Sequence, residues 1–155
     1  EYAKVLGINA FVSHPPIYTM MFNIKPPHMA KIYNVFDCLM CPSRNEGFGV
    51  PIIEAASCGV PAIVNDFTAM RDLVIEGVTG YKTEVVYKVF TPLLSYNGVP
   101  GVQSIYECME KVYGADRKKM GEEARKFIVK DFDTKETFKT KWLPFLQILE
   151  QEIYS

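Results

Sequence analysis

The chain has 155 residues, nearly half of them apolar, and a formal net charge of −1. That length is enough for one domain with a real core. There is no basic excess to suggest nucleic acid or an anionic membrane surface, no apolar run long enough to span a bilayer, and no signal-peptide pattern.

In chain order, residues 1–9 read as the tail of a helix ending near Gly7. Residues 10–13 and 17–23 are rich in β-favouring side chains and are separated by His14, Pro15 and Pro16; the second run is the better strand. Pro26 and Pro27 open a helix to about Val35, with Met29, Ile32, Tyr33 and Phe36 on its apolar stripe. Residues 37–41 are a short apolar run, expected as a buried parallel strand. A glycine-containing loop follows, then a helix over 51–58 and a strand over 61–65. A short helix at 69–75, a turn at Glu76 and Gly77, and a strand at 80–83 come next. Strands alternating with helices imply right-handed βαβ units and a parallel sheet, with ligands outside the carboxyl ends of the strands. The loops after Asn23, Cys41 and Asn65 then meet in one crevice. Residues 84–101 break the pattern: Val85, Val86, Tyr87, Val89 and Phe90 favour strand, whereas Pro92, Asn97-Gly98 and Pro100-Gly101 favour turns. They read as an irregular insertion, a lid or contact surface or, preferably, a plain long loop. Three helices close the chain. The first spans about 103–113, with Ile105, Met109 and Val112 inward and Gly114 as its stop. The second spans about 117–130, capped by Asp116, with Met120, Ala124, Phe127 and Ile128 inward. The third starts at a capping box formed by Asp133 and Glu136 and should kink at Pro144. Its apolar stripe is Phe138, Trp142, Phe145, Leu146, Leu149 and Ile153, either packed on the sheet or partly exposed.

The chain carries four cysteines. Cys38 and Cys41 have a spacing used by zinc and redox sites. They fall in an apolar run, however, without a second pair and far in sequence from His14 and His28. Buried free thiols in a reducing cytosol are expected, and no metal.

Chemistry concentrates in residues 42–61. Gly47 and Gly49 let backbone approach a ligand closely, and Pro51 suits the first turn of a helix that Gly59 and Pro61 end. A helix start offers unpaired N–H groups and a positive dipole end, which suit phosphate. Glu46 and Glu54 are strong acceptors and suit the hydroxyls of a sugar or ribose. Read alone, Glu54 is equally an ordinary first-turn glutamate favouring the dipole. Ser43 either caps or touches ligand, and Arg44 either neutralises phosphate or is an ordinary surface charge. Asn23 to Lys25 and Asp66 to Thr68 lie in loops that leave the carboxyl ends of two predicted strands, where ligands of such sheets bind. His14 and His28 are read as structural or exposed.

This stretch resembles the Glu-x7-Glu signature of retaining glycosyltransferases of the GT-B fold, family 4 type. The match runs through Pro42, Ser43, Glu46, Gly47, Phe48, Gly49, Pro51, Glu54, Ala55, Gly59 and Pro61, continues to about Tyr81, and is looser beyond. The resemblance implies a Rossmann-like three-layer α/β domain with a parallel sheet and C-terminal helices. It would be a single domain over 1–155, the nucleotide-sugar-binding half of a longer two-domain enzyme. The start at Glu1 without a methionine fits that expectation, and residues 1–16 do not match the family's basic pair.

Carried over by position, Glu46 contacts the donor sugar's hydroxyls at the reaction centre. The amides of Gly47, Phe48 and Gly49 lie near sugar and diphosphate. Val50, Pro51 and Ile52 hold the distal phosphate, Glu54 accepts from the ribose, and Ser43, Asp66 and Thr68 border the donor. The implied reaction is hexosyl transfer with retention in carbohydrate biosynthesis, from a UDP- or GDP-sugar, with no cofactor and no metal. A double displacement would need a placed carboxylate nucleophile; the family shows no agreed one, and Glu46 is not assigned that role. The implied partners are the nucleotide sugar and an N-terminal acceptor-binding domain. The implied location is cytoplasmic, with peripheral membrane association of the full-length enzyme left open. Two alternatives stand beside it: a non-catalytic nucleotide-sugar-binding or interaction module of the same fold, and another sugar-nucleotide enzyme such as an epimerase.

Overall fold

The computed structural model describes residues 2–5, 7 and 24–154. The strands expected at 10–13 and 17–23, together with His14 and Asn23, lie outside the described residues. Helix α1 (Tyr2–Val5) is followed by Gly7 at φ 70°, whose N–H donates to the Lys4 carbonyl at 3.1 Å. Helix α2 (Pro26–Tyr33) leads to strand β1 (Leu39–Cys41), helix α3 (Val50–Ser57) and strand β2 (Ala62–Asn65). A 3-10 turn (Thr68–Asp72) then precedes strand β3 (Gly80–Thr83). The three strands form a parallel sheet in the order β1-β2-β3, with Leu39 opposite Ala62 and Ala62 opposite Gly80.

The pleat of β2 decides the layers, because alternate side chains of a strand point to opposite faces. Ala62 and Val64 face one way, into a cluster with Ile52 and Ala56 of α3, Met70, Leu73, Val74, and Ala124 and Ile128 of helix α5 (Arg117–Phe132). Ile63 faces the other way, against Cys108 and Val112 of helix α4 (Val102–Gly114). Helices therefore cover both faces of a sheet whose central strand is buried throughout, which is the expected three-layer α/β architecture. A third cluster joins Tyr33 of α2 to Ala55 and Val60. Cys38 packs beside the Ile63 cluster and Cys41 beside the Ile52 cluster, so the two thiols of the Cys-x2-Cys lie on opposite faces of the sheet. All four cysteines are free. Burial pushes the Cys38 thiol up to about 11, as expected of a packed rather than a reactive sulfur.

Residues 84–101 correct the sequence reading. They form an antiparallel hairpin of β4 (Val85–Phe90) and β5 (Tyr96–Pro100), with a register shift between Val85 and Tyr87. The turn lies at residues 91–95, where Leu94 takes φ 56°. Asn97-Gly98 is not a turn but mid-strand, and a Cβ at Gly98 would meet the Phe67 ring at 2.7 Å. Glycine in a strand marks close approach of another group.

The C-terminal helices also depart in detail. On α4 the buried residues are Cys108 and Val112, while Met109 is exposed. Asp116 caps α5 by accepting from the Lys119 N–H at 3.1 Å. The third predicted helix is three pieces: α6 (Thr134–Thr137), a π turn (Phe138–Trp142) and α7 (Leu143–Tyr154). The Asp133 carboxylate caps α6 through the N–H groups of Lys135 and Glu136, both at 3.0 Å. The reciprocal arm of the capping box does not form, because the Asp133 N–H donates to the Val129 carbonyl. The expected disruption at Pro144 appears one turn earlier. Proline crowds the carbonyl four residues back, and the Leu143 N–H reaches five residues back to Phe138, widening the turn. Phe138, Trp142, Phe145, Leu146 and Ile153 are exposed, so the expectation that the stripe packs on the sheet does not hold for them. Among the described residues no helix is long and apolar enough to cross a membrane.

Two constraints hold this frame. Asn65, fully buried at the carboxyl end of β2, donates through Nδ2 to the carbonyls of Ser43 (3.1 Å) and Gly98 (2.9 Å) and accepts from Thr83 Oγ1 at 3.3 Å. Helix α5 crosses the end of α3 so closely that a Cβ at Gly121 would drive into the Gly59 carbonyl. Arg125 Nη1 donates to the Ser57 carbonyl at the same crossing. Asn65→Ala leaves three polar groups short of a partner and should lower stability by about 3 kcal/mol, read from the urea midpoint at unchanged slope. Gly121→Ala should cost about 2 kcal/mol in the same assay, because backbone cannot yield as a side-chain tip does.

Candidate functional site

The loop between β1 and α3 leaves the sheet at its carboxyl end and is tied on three sides. Asn65 holds the Ser43 carbonyl, and the Gly98 N–H of the hairpin donates to the Arg44 carbonyl at 2.9 Å. Asn45 Nδ2 donates to the Tyr96 carbonyl at 3.4 Å. The Glu46 N–H donates to Thr68 Oγ1 at 3.3 Å, which joins this loop to the one after β2. The loops after Cys41 and Asn65, expected to border one crevice, are therefore in contact, and the hairpin is bonded to the first of them.

The predicted residues fall as follows. Ser43 does not cap α3: its hydroxyl lies 3.6 Å from Cys41 Sγ, and its carbonyl belongs to Asn65. Glu46 is half-buried, and its carboxylate has no hydrogen bond or ion pair among the described residues. Gly47 is exposed, and a Cβ there would meet nothing within 4 Å, so the space over its backbone is open. The Phe48 ring packs edge-on against Phe132 at the end of α5, with centroids 5.8 Å apart. Gly49 is buried and precedes the first turn of α3 at φ 88°, a left-handed conformation that glycine alone adopts freely. A Cβ there would also meet Leu73 Cδ1 at 2.9 Å.

The helix start needs one correction. Pro51 has no N–H, and the Ile52 N–H donates to the Gly49 carbonyl at 3.0 Å, so of residues 50–52 only Val50 retains an uncommitted amide. The N–H groups of Gly47, Phe48, Gly49 and Val50 make no hydrogen bond among the described residues. Free main-chain donors at a helix start are of the kind that suits an anion.

Glu54 is exposed on α3, and its Oε2 accepts from the Tyr33 hydroxyl at 2.9 Å. Glu46 thus stands on the Thr68 side of the helix start and Glu54 on the α2 side. The Asp66 carboxylate pairs with Arg71 Nε at 3.4 Å, and its N–H donates to the Thr83 carbonyl. Thr68 takes φ 49°, an unusual conformation for a β-branched residue, and its hydroxyl donates to the Phe67 carbonyl at 2.9 Å while receiving the Glu46 N–H. Lys88 Nζ lies 5.5 Å over the Phe67 ring, bringing a hairpin cation beside this loop.

Three residues that position the site escape the sequence reading. Tyr33 reads as a plain core residue, yet a buried phenol needs a partner for its hydroxyl, and that need was the available signal. Asn65 ends an otherwise apolar strand, which marks a buried amide in search of partners. Gly98 gave no signal separable from a turn.

Comparison with known proteins bears on this loop. Residues 18–87 match the family model described as glycosyl transferases group 1. The chain is similar to the D-inositol 3-phosphate glycosyltransferase of Rhodococcus erythropolis, at 36% identity over 80 residues, 52% of this chain and 17% of that protein. The enzyme of the same name from Geodermatophilus obscurus is 31% identical over 85 residues, 54% of this chain and 17% of that protein. The serotype-specific mannosyltransferase WbdA of Escherichia coli is 33% identical over 66 residues, 41% of this chain and 8% of that protein. The matched stretch is thus a small part of each relative. Residues 18–87 are thus similar to the glycosyl transferases group 1 family, and these relatives are glycosyltransferases.

Proposed function

We propose that this chain is the donor-binding part of a retaining glycosyltransferase of the GT-B fold, family 4 type, and that it binds a nucleoside-diphosphate hexose. The observation that carries the reading is the run of amides from Gly47 to Val50, uncommitted among the described residues, set between Glu46, whose carboxylate has no partner among those residues, and Glu54. Main-chain donors suit the diphosphate, and carboxylates suit hydroxyls. In this reading Glu46 accepts from the sugar's hydroxyls and Glu54 from those of the ribose. The amides and the dipole of α3 stabilise the charge that grows on the departing diphosphate.

Asp66, tied to Arg71, and Thr68, tied to Glu46 through its hydroxyl, act by shaping the sugar pocket. Ser43 acts through its backbone. Arg44 and Lys88 add positive charge at the rim. The acceptor would come from a second, N-terminal domain. The relatives' names point to a cyclitol phosphate as one acceptor class and to mannose as one transferred sugar.

Calorimetric titration of UDP-, GDP- and ADP-sugars should find one donor that binds, with Glu54→Ala weakening it at least tenfold. Equal, negligible binding by wild type and variant would favour a non-catalytic interaction module instead. The 155 residues alone should bind that donor weakly and transfer no sugar above blank in a radiolabel assay, for want of an acceptor surface.

A further inference from the structure

Resting on the reading of Glu54 as the ribose acceptor, we propose that Tyr33 is a positioning residue that sets the Glu54 carboxylate for the two ribose hydroxyls. The Tyr33 side chain is 4% exposed, clustered with Ala55 and Val60 and flanked by Met29, Leu39 and Cys58. Phe36 meets its ring edge-on at 5.9 Å. Packing therefore fixes the ring, and its hydroxyl emerges against Glu54 Oε2 at 2.9 Å. Glu54, by contrast, is exposed, and an exposed glutamate otherwise samples many rotamers.

The hydroxyl can only donate to a carboxylate, and it keeps its proton across the physiological range. Burial raises its pKa well above the ordinary phenol value, and the Glu54 hydrogen bond raises it further. One lone pair of Oε2 is taken. The rest of the carboxylate, Oε1 included, stays free to accept from the neighbouring 2′- and 3′-hydroxyls of a ribose, since an ionised carboxylate offers about four acceptor sites. The rotamer is thus chosen before the ligand arrives, and binding need not order it. Helices α2 and α3 are thereby linked by a contact that serves the ligand as well as the fold.

The test uses UDP, GDP and ADP and their 2′,3′-dideoxy counterparts, titrated calorimetrically against the full protein with wild-type sequence, Tyr33→Phe, Glu54→Ala and the double variant. Tyr33→Phe keeps the ring and its packing. It should weaken the ribonucleotide that binds best by about 3- to 10-fold, the range of one net hydrogen bond, and leave its dideoxy form unchanged. The double variant should bind no more weakly than Glu54→Ala. If Glu54→Ala weakens the ribonucleotide and Tyr33→Phe does not, positioning by Tyr33 is wrong while the donor reading stands. If Tyr33→Phe weakens both nucleotide forms equally, its role is structural and the inference falls. If Glu54→Ala has no effect, the ribose reading fails and takes this inference with it.

Discussion

The structure turns on one buried amide. Asn65 closes β2 at the point where three chain segments leave the sheet, and its side chain joins all three: the β1–α3 loop through Ser43, the hairpin through Gly98, and β3 through Thr83. A fully buried amide is costly unless its donors and acceptor are met. The surrounding loops must therefore adopt the one arrangement that meets them. That requirement places Ser43, and with it Glu46 and the glycines, at a fixed height above the carboxyl end of the sheet. An apolar residue at the same position would fill the space without selecting a loop conformation.

The hairpin extends this logic. The Gly98 N–H holds Arg44 while the Gly98 carbonyl takes Asn65, so a single residue without a side chain is bonded from both sides. The Phe67 ring occupies the volume where a Cβ would stand. Loop and hairpin are thus bonded to one another, and the hairpin carries the exposed Phe90–Tyr96 aromatic pair and sets Lys88 over the Phe67 ring.

What was legible in the sequence follows from range. Periodicity and capping are local, and they gave α2, α3, α4, α5 and, among the described residues, the three strands of the parallel sheet within a few residues. The hairpin was misread because Gly98 and Pro100 carry the signature of turns. Gly98 is needed for the approach of Phe67, 31 positions away by numbering, and Pro100 sits at a strand end, where its missing N–H costs little. No window on the sequence shows either. On α4 Val112 is buried as expected, but Cys108 rather than Met109 joins it against Ile63. Of the site, the glycines and acids were visible as a pattern. The supports of those acids, Tyr33 for one and Thr68 for the other, were visible only in space.

Those supports differ in kind, and the difference bears on how a donor would be held. A charge-assisted hydrogen bond contributes about 1.5–3 kcal/mol, while ordering a free glutamate side chain costs about 1.5–2 kcal/mol. A mobile carboxylate that receives one hydroxyl therefore gains little. Glu54, on a helix and already bonded to a fixed phenol, has much of that ordering done. Among the described residues Glu46 is held through its backbone N–H alone, so in this reading the ligand orders its side chain and two hydroxyls are needed to come out ahead. Under the proposed reading, the nucleotide end is gripped by prepared groups, and the sugar end is held only when its hydroxyls fit. Such an arrangement binds the common part of every donor and discriminates at the part that varies.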